Sequence, residues 1–243
     1  MNDTEWQTRV DTAALYRLIA LEGWDDLIGT HVSARIPGDQ HQFLLNPYGM
    51  LFEEITASSL LTIDLEGKQL TPSDYHYNQA GFTIHSAVHM HRPDAMFVIH
   101  LHTDYGVAVS CQAQGLKPMN QTAIAITSDL AYHDYEGVAT NLAERERLVA
   151  DLGNCNGLIL RNHGTMACGP NAGGAWQAIY RIEKACRYQI LAESGGAKTT
   201  TLSQEIIESR AGVSSTEALR KRGEFIWPAL KRRLDRIDPS YQE

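Results

Sequence analysis

The segment Phe97-Val98-Ile99-His100-Leu101-His102 is an apolar run that ends in two histidines separated by one residue. Like the later segment Leu158-Ile159-Leu160-Arg161-Asn162-His163-Gly164, it predicts a buried β-strand that leads into a loop. Successive side chains of a strand point to opposite faces, so His100 and His102 share a face and can reach one point in space. His163 on a neighbouring strand end completes a predicted three-histidine metal site with an open position.

The composition is that of an ordinary soluble globular protein. Of the 243 residues, 43% are hydrophobic and 21% are charged, which suits one large domain or one domain with an extension. The formal net charge of -8 provides no overall basic field that would attract nucleic acid. Nucleic acid is therefore not an expected partner.

Neither a leader nor a membrane segment is expected. The segment Met1-Asn2-Asp3-Thr4-Glu5 is acidic and lacks the apolar core of a signal peptide, and no run of about 18 apolar residues occurs. The four cysteines form no C-x-x-C pair and lie in apolar stretches, which is typical of reduced, buried cysteines. We expect a cytoplasmic protein without a membrane partner.

Residue patterns predict an α/β fold. Helices are predicted at residues 4–22, 79–91, 105–114, 144–152, 172–192, 203–211 and 215–236. Strands or strand-like pieces are predicted at residues 31–36, 42–45, 60–64, 97–102, 123–126, 131–132, 157–161 and 165–168. Strands dominate the middle of the chain and helices flank it, so we expect a mixed central sheet covered by helices.

A Gly-rich linker divides the chain. The composition changes at Glu193-Ser194-Gly195-Gly196-Ala197-Lys198, so we expect a main domain over residues 1–198 and a C-terminal helical extension over 199–243. Pro228 is expected to start or kink the last segment. For its basic face we favour a solvated surface or a subunit contact over an anion-binding or actin-type patch. The basic residues are Arg220, Lys221, Arg222, Lys231, Arg232, Arg233 and Arg236.

Several motifs in combination resemble those of a known family. They are His-x-His at 100–102, Arg-Asn-His-Gly at 161–164 and Arg92-Pro93-Asp94. The stretches that are similar to the adducin head domain are 30–35, 46–49, 56–60, 78–82 and 132–135. On these motifs the chain resembles the class II aldolase/adducin family over roughly residues 10–198, and it is most similar to bacterial members that are like the adducin head.

The resemblance implies a fold, an assembly and a metal. The fold is an α/β/α sandwich around a mainly antiparallel central sheet, usually assembled as a cyclic homotetramer with its sites at subunit interfaces. In the aldolases three histidines that match His100, His102 and His163 hold a divalent ion, commonly Zn²⁺, which acts as a Lewis acid on a small-molecule substrate. Mn²⁺ and Fe²⁺ are alternatives, since three neutral ligands also hold Fe²⁺.

The chain departs from the aldolase pattern at the catalytic carboxylate. The glutamate that ligates the metal and moves the proton corresponds to Gly81, and the Asn of the phosphate loop corresponds to His31. A glycine side chain neither carries a proton nor binds a metal, so an ordinary sugar-phosphate aldolase is not expected. By position, the candidates for substrate binding are His31, Asn46, Gly49 and Gly81.

The sequence does not decide which residues are catalytic. Tyr132 and His133 belong to the polar and aromatic run 132–135. This run is either a hydrogen-bonded turn at a subunit contact or the lining of a neighbour's pocket, where Tyr132 or His133 supplies a proton. The spacing of Glu183 and Arg187 favours an ion pair over a catalytic role for Glu183.

Two functions compete. The first is a metal-dependent lyase that performs aldol cleavage or decarboxylation on a small, non-phosphorylated oxo- or hydroxy-acid, with iron-dependent oxygenation as a variant. The carboxylate of such a substrate would supply its own anion at the metal. The second is a non-catalytic, oligomeric binding module similar to the adducin head, which the absence of the glutamate favours.

Overall fold

The fold is built on one seven-stranded sheet, seen in a computed structural model that describes residues 2–38 and 41–243. The strands are β1 (His31–Arg35), β2 (Gln42–Leu45), β3 (Leu61–Asp64), β4 (Phe97–Leu101), β5 (Leu130–His133), β6 (Gly157–Leu160) and β7 (Gly164–Gly169). Their order is β3-β2-β1-β4-β7-β6-β5, and only β5 and β6 are parallel neighbours. The mainly antiparallel sheet implied by the resemblance is confirmed.

Polar side chains cap the start of six of the eight described helices. They are α1 (Asp3–Leu21), α2 (Gln79–His91), α3 (Asp104–Ser110), α4 (Gln121–Ile124), α5 (Glu144–Leu152), α6 (Ala172–Ser194), α7 (Gln204–Glu208) and α8 (Thr216–Asp235). Asn78 caps α2 by accepting a hydrogen bond from the backbone of Ala80, and Asn171 caps α6 in the same way. Over the described ranges no helix has both the length and the apolar character that a bilayer crossing requires.

Helices cover both faces of the sheet because its strands alternate. On β4, Ile99 packs in one apolar cluster with Leu15 of α1 and Trp176 of α6. Val98, the next residue, packs on the opposite face with Val88 of α2. This period of two places a separate core on each face, so the expected α/β/α sandwich is confirmed.

A polar stripe lies beneath α2 on one face of the sheet. His31 and Ser33 alternate along β1 and are buried against His85 and His89 of α2. His31 is also the register partner of His100 on β4. The pairing of two antiparallel strands therefore extends this buried polar stripe to the end of β4, where the predicted metal ligands lie.

The basic residues of α8 partly face the rest of the chain. Lys231 Nζ lies 3.0 Å from Asp11 Oδ1, and Arg233 Nη1 lies 2.7 Å from Glu22 Oε1, both on or beside α1. These two cations thus contribute to packing within the chain. Pro228 lies inside α8. The proposed division at residue 198 stays a prediction.

Three local expectations are wrong. Residues 123–126 do not form a strand, because Asn120 accepts hydrogen bonds from two backbone N–H groups and caps the short helix α4. The helix expected at 105–114 ends at Ser110. Cys111 follows it and is exposed, contrary to the expected burial of every cysteine.

Candidate metal centre

Three histidines meet at the end of β4. His100 belongs to β4, His102 follows it, and His163 lies between β6 and β7. Their candidate ligand atoms all lie within 4.8 Å of one another, and the Nε2 atoms of His100 and His102 are 3.0 Å apart. The structure thus brings together the three residues that the sequence predicts as metal ligands.

The turn that carries His163 has two special residues. Asn162 has φ 57°, in the left-handed region that asparagine adopts more readily than most residues. Gly164 lies so close to β4 that a Cβ atom there would be 2.5 Å from the carbonyl oxygen of Leu101. One left-handed residue and one close backbone approach therefore set the imidazole of His163 against the end of β4.

Hydrogen bonds on the outer side of two rings decide which nitrogens face the centre. His100 Nδ1 lies 3.1 Å from the carbonyl oxygen of Thr165, which only accepts, so Nδ1 carries the proton. His102 Nδ1 lies 2.9 Å from the Asp26 carboxylate and donates to it. In neutral rings both Nε2 atoms then carry lone pairs, which face each other across 3.0 Å. Opposed lone pairs at this distance repel unless a cation lies between them.

This donor set fits a divalent metal ion. Two imidazole nitrogens bound at about 2.0–2.1 Å to a tetrahedral ion are roughly 3.3 Å apart, close to the separation of the two Nε2 atoms. A carbonyl and a carboxylate on the outer nitrogens are the partners that commonly orient metal-bound histidines. Three protein ligands also leave a position open, as catalytic zinc sites do.

Burial keeps the imidazoles of His100 and His163 in the neutral form that binds metals. It lowers the pKa of His100 well below the usual value, and the neighbouring histidines add to this effect. Burial also lowers the pKa of His163 to about 4. Both rings are neutral at pH 7, so protons compete with a metal ion only in acidic solution.

An imidazole fills the space beside Gly81, the residue that the family resemblance matches to the catalytic glutamate of the aldolases. A Cβ atom on Gly81 would lie 2.6 Å from Cδ2 and 2.9 Å from Nε2 of His31, closer than side chains normally pack. The ring centroid of His31 lies 5.1 Å from that of His100. The His31 ring therefore requires glycine at position 81, and the two departures from the aldolase pattern occupy the same space.

A buried hydrogen-bonded chain holds His31 in place. His31 Nδ1 lies 2.8 Å from His85 Nε2, and His85 Nδ1 lies 2.5 Å from the hydroxyl oxygen of Ser33. That oxygen also lies 2.7 Å from His89 Nε2. Burial lowers the pKa of His89 to about 3, so this ring is uncharged at neutral pH. Sequence analysis missed Ser33, whose only signal was its alternation with His31 on one strand.

The other two substrate-binding candidates have structural contacts. Asn46 is buried, and its side-chain oxygen accepts a hydrogen bond of 2.8 Å from the Tyr16 hydroxyl. Gly49 has φ 107° and lies in an exposed turn, where its backbone conformation favours glycine. A part for Asn46 and Gly49 in substrate binding stays a prediction.

The two candidate proton donors are engaged in other hydrogen bonds. Tyr132 accepts a hydrogen bond of 3.0 Å from the backbone N–H of Leu116, and burial raises the pKa of its hydroxyl. His133 Nδ1 lies 2.7 Å from an oxygen of Asp151. Within the run 132–135 it is Tyr135, half exposed, whose ring contacts His163, with a centroid separation of 6.2 Å.

Glu183 supports the segment that follows His102. The hydroxyl of Thr103, next to His102, donates a hydrogen bond to Glu183, and burial raises the pKa of this carboxyl group. The guanidinium of Arg187 instead lies 5.5 Å from the ring centroid of Tyr105. The expected pairing of Glu183 with Arg187 is thus replaced by a contact from α6 to the start of α3.

The geometry of the three histidines agrees with a family comparison. The sequence profile of the Class II Aldolase and Adducin N-terminal domain matches residues 10–190. The chain belongs to the class II aldolase and adducin family. A Caulobacter vibrioides protein, provisionally named a class 2 aldolase, is 51% identical over 243 residues, which cover 100% of this chain and 95% of that protein.

Similarity within the class II aldolase and adducin family extends to a solved structure and to a longer protein. An aldolase II superfamily protein from Pseudomonas syringae is 43% identical with a TM-score of 0.93, over 100% of this chain and 98% of that one. Alpha-adducin of Mus musculus is 40% identical over 199 residues, which cover 80% of this chain and 27% of the adducin. Membership alone does not choose between an enzyme and a binding module.

Proposed function

We propose that this protein is a metal-dependent lyase that performs aldol cleavage or decarboxylation on a small, non-phosphorylated oxo- or hydroxy-acid. Its ligands would be His100, His102 and His163, and its ion Zn²⁺, with Mn²⁺ or Fe²⁺ as alternatives. The observation that carries the proposal is the approach of His100 Nε2 and His102 Nε2 to 3.0 Å while an acceptor holds the Nδ1 atom of each ring. A bound ion would supply Lewis-acid polarisation of a substrate oxygen.

The side chains around the histidines favour an anionic substrate. All three proposed ligands are histidines, which bring no negative charge to the site, and the proposed place of a carboxylate is taken by Gly81 and the ring of His31. A site without a ligand carboxylate keeps more of a cation's positive charge, which attracts an anion such as a substrate carboxylate. His102 Nδ1 donates a hydrogen bond to the Asp26 carboxylate, which orients this ligand from its outer side.

The assembly and location belong to the same proposal. By its family resemblance the chain is proposed to form a cytoplasmic homotetramer, in which a neighbouring subunit completes each site. Tyr132 and His133 stay the candidates for a proton donor from such a neighbour. No residue of the chain is assigned as the general base.

Metal content per chain is the measurement that tests the proposed ligands. We expect about one ion per chain in untagged wild-type protein and in His76→Ala, which removes an exposed histidine. His102→Ala should lose most of it, because two imidazoles bind an ion weakly in this geometry. Turnover of hydroxy- and keto-acids by the loaded wild type then tests the lyase. A wild-type site that takes up none of the three metals would overturn the ligand set.

A second candidate function is a non-catalytic, oligomeric binding module. It is favoured by Gly81, which supplies no acid or base, and by the 40% identity to alpha-adducin. A metal-loaded protein that turns over none of the acids, yet binds a protein partner equally well as His102→Ala, would support this candidate over the lyase.

A further inference from the structure

A polar cavity lies on the outer side of α6, away from the three histidines. It has a volume of about 240 Å³ and is formed by α4, α6 and the turn that follows α7. Its lining includes Gln121, Gln177, Tyr180, Arg181, Lys184 and Arg210. Because α6 packs on the sheet face of Ile99, whereas His100 shares the opposite face with Val98, this cavity is distinct from the proposed metal site.

The cavity concentrates positive charge on an acidic protein. Arg181, Lys184 and Arg210 line it, and none of the residues that line it is acidic. The chain as a whole has a formal net charge of -8. Burial lowers the pKa of Arg181, and the positive charges of Arg222 and Arg210 lower it further. The fold thus holds cations close together although they repel one another.

Two guanidinium nitrogens in this cluster lack hydrogen-bond acceptors. Nη1 of Arg181 and Nε of Arg210 are buried and have no partner among the described residues. Arg222 differs, because its Nη1 donates to the carbonyl oxygen of Val213 at 2.6 Å. A buried charged donor without an acceptor destabilises a fold, and such groups usually have a partner. These two buried donors therefore have no acceptor among the described residues, and the cavity beside them has room for one.

We propose that this cavity binds a phosphate group, either free or on a small monoester. A dianion balances several converging cations better than a single carboxylate does, and guanidinium groups bind phosphate oxygens in pairs. The side-chain amides of Gln121 and Gln177 offer further donors. The rings of Tyr180 and Tyr188 line the same cavity and would pack against the organic part of an ester.

The binding of inorganic phosphate and of phenyl phosphate tests this site. Calorimetric titration in about 0.15 M NaCl, where exposed charges are largely screened, should show saturable binding of both to the wild-type protein. Arg181→Gln and Arg210→Gln should each weaken the binding at least tenfold. Arg236→Gln removes an exposed arginine with the same change in charge and should bind as the wild type does. Tighter binding of phenyl phosphate would assign an ester, and equal binding would assign free phosphate.

Stability measurements show whether the variants fold. Without phosphate, Arg181→Gln should melt no lower than the wild type, because it removes an unpaired buried cation, and phosphate should no longer raise its melting temperature. Equal phosphate affinity of Arg181→Gln and wild type, acetate binding as tight as that of phosphate, or a change of oligomeric state in Arg181→Gln would each overturn the proposal. His102→Ala should keep phosphate binding, so this test is independent of the proposed lyase.

Discussion

At the scale of single residues, His31 and Gly81 form a coupled pair. The ring of His31 is held by His85 on one side and lies against His100 on the other, so it cannot move aside easily. The space beside Gly81 is therefore not empty, because the buried imidazole of His31 fills it. A side chain returned to position 81 must displace that ring.

Because of this contact, we expect Gly81→Ala to change the free energy of unfolding in opposite directions in the wild type and in a His31→Ala background. Gly81→Ala should lower the free energy of unfolding by about 1–3 kcal/mol, because its methyl group overlaps the His31 ring. In a His31→Ala background the same change should raise it by about 0.5–1 kcal/mol, since alanine is the better helix former in α2. Urea unfolding of the four proteins in this cycle measures the difference. Equal losses in both backgrounds would contradict the overlap.

The three proposed metal ligands could be predicted from the sequence, but the contact between His31 and Gly81 could not. His100 and His102 were predictable because local strand alternation puts them on one face. His163 was predictable from its place at a strand end and from the family motif. The contact of His31 with Gly81 depends on the register of β1 against β4 and on the approach of α2. Neither this register nor the approach of α2 follows from local spacing. The sequence therefore indicated His31 and Gly81 as two separate departures from the aldolase pattern and did not show that they contact each other.

At the scale of elements, α8 packs on α6 through glycine. A Cβ atom on Gly223 of α8 would lie 2.5 Å from the backbone nitrogen of Gly174 and 2.9 Å from the carbonyl carbon of Gly173. These neighbours are backbone atoms of a helix, which do not move aside as a flexible side chain does. The two helices can therefore approach this closely only because position 223 lacks a side chain.

Gly223→Ala should push α8 away from α6. We expect the free energy of unfolding to fall by about 1–3 kcal/mol, in spite of the better helix propensity of alanine. Limited proteolysis within residues 195–203 should also become faster, because the packing of α8 on α6 holds the C-terminal side of that segment in place. Glu224→Ala, an exposed change on the same helix, is the matched control. Equal behaviour of the two variants would show that the helices have room at this crossing.

Long elements were predictable from the sequence, whereas short ones were not. The helix expected at 79–91 has these bounds in the structure, and the one expected at 172–192 begins at the same residue, because several turns of apolar spacing define each. The four apolar residues 123–126 fit a strand equally well, and the hydrogen bonds of Asn120 decide for a helix. The mainly antiparallel sheet was expected from the family resemblance, and the order of its strands was not predicted, since pairing between distant strands leaves no local signal.

At the scale of the whole molecule, one asparagine links four distant segments. Asn156, ahead of β6, donates from Nδ2 to the Asp129 carboxylate ahead of β5 at 3.1 Å. Its side-chain oxygen accepts from Arg92 after α2 at 3.2 Å and from Thr216 at the start of α8 at 3.1 Å. The sheet, α2 and the C-terminal helix therefore meet in one polar cluster, whose charge state affects the stability of the whole fold.

The titration of Asp129 should make that stability depend on pH. Burial raises its pKa from 3.8 to about 6, against the opposing hydrogen bonds from Asn156, so the folded state holds this proton more tightly than the unfolded chain does. Stability contributed by the protonated group is therefore present below about pH 4 and is lost as the pH rises to about 6. At about 1.4 kcal/mol per pKa unit, the loss is at most about 3 kcal/mol.

Asp129→Asn carries no titrating group at this position. Comparison with the wild type therefore isolates the contribution of Asp129 to the pH dependence of stability. We expect the free energy of unfolding of Asp129→Asn, minus that of the wild type, to increase between pH 4 and pH 7 by up to about 3 kcal/mol. Any hydrogen bond that the amide loses shifts this difference equally at every pH and leaves its slope unchanged. Denaturant unfolding across that range measures it. If the two pH curves run parallel, the buried carboxylate does not titrate in this window, and the polar cluster tolerates its charge without cost.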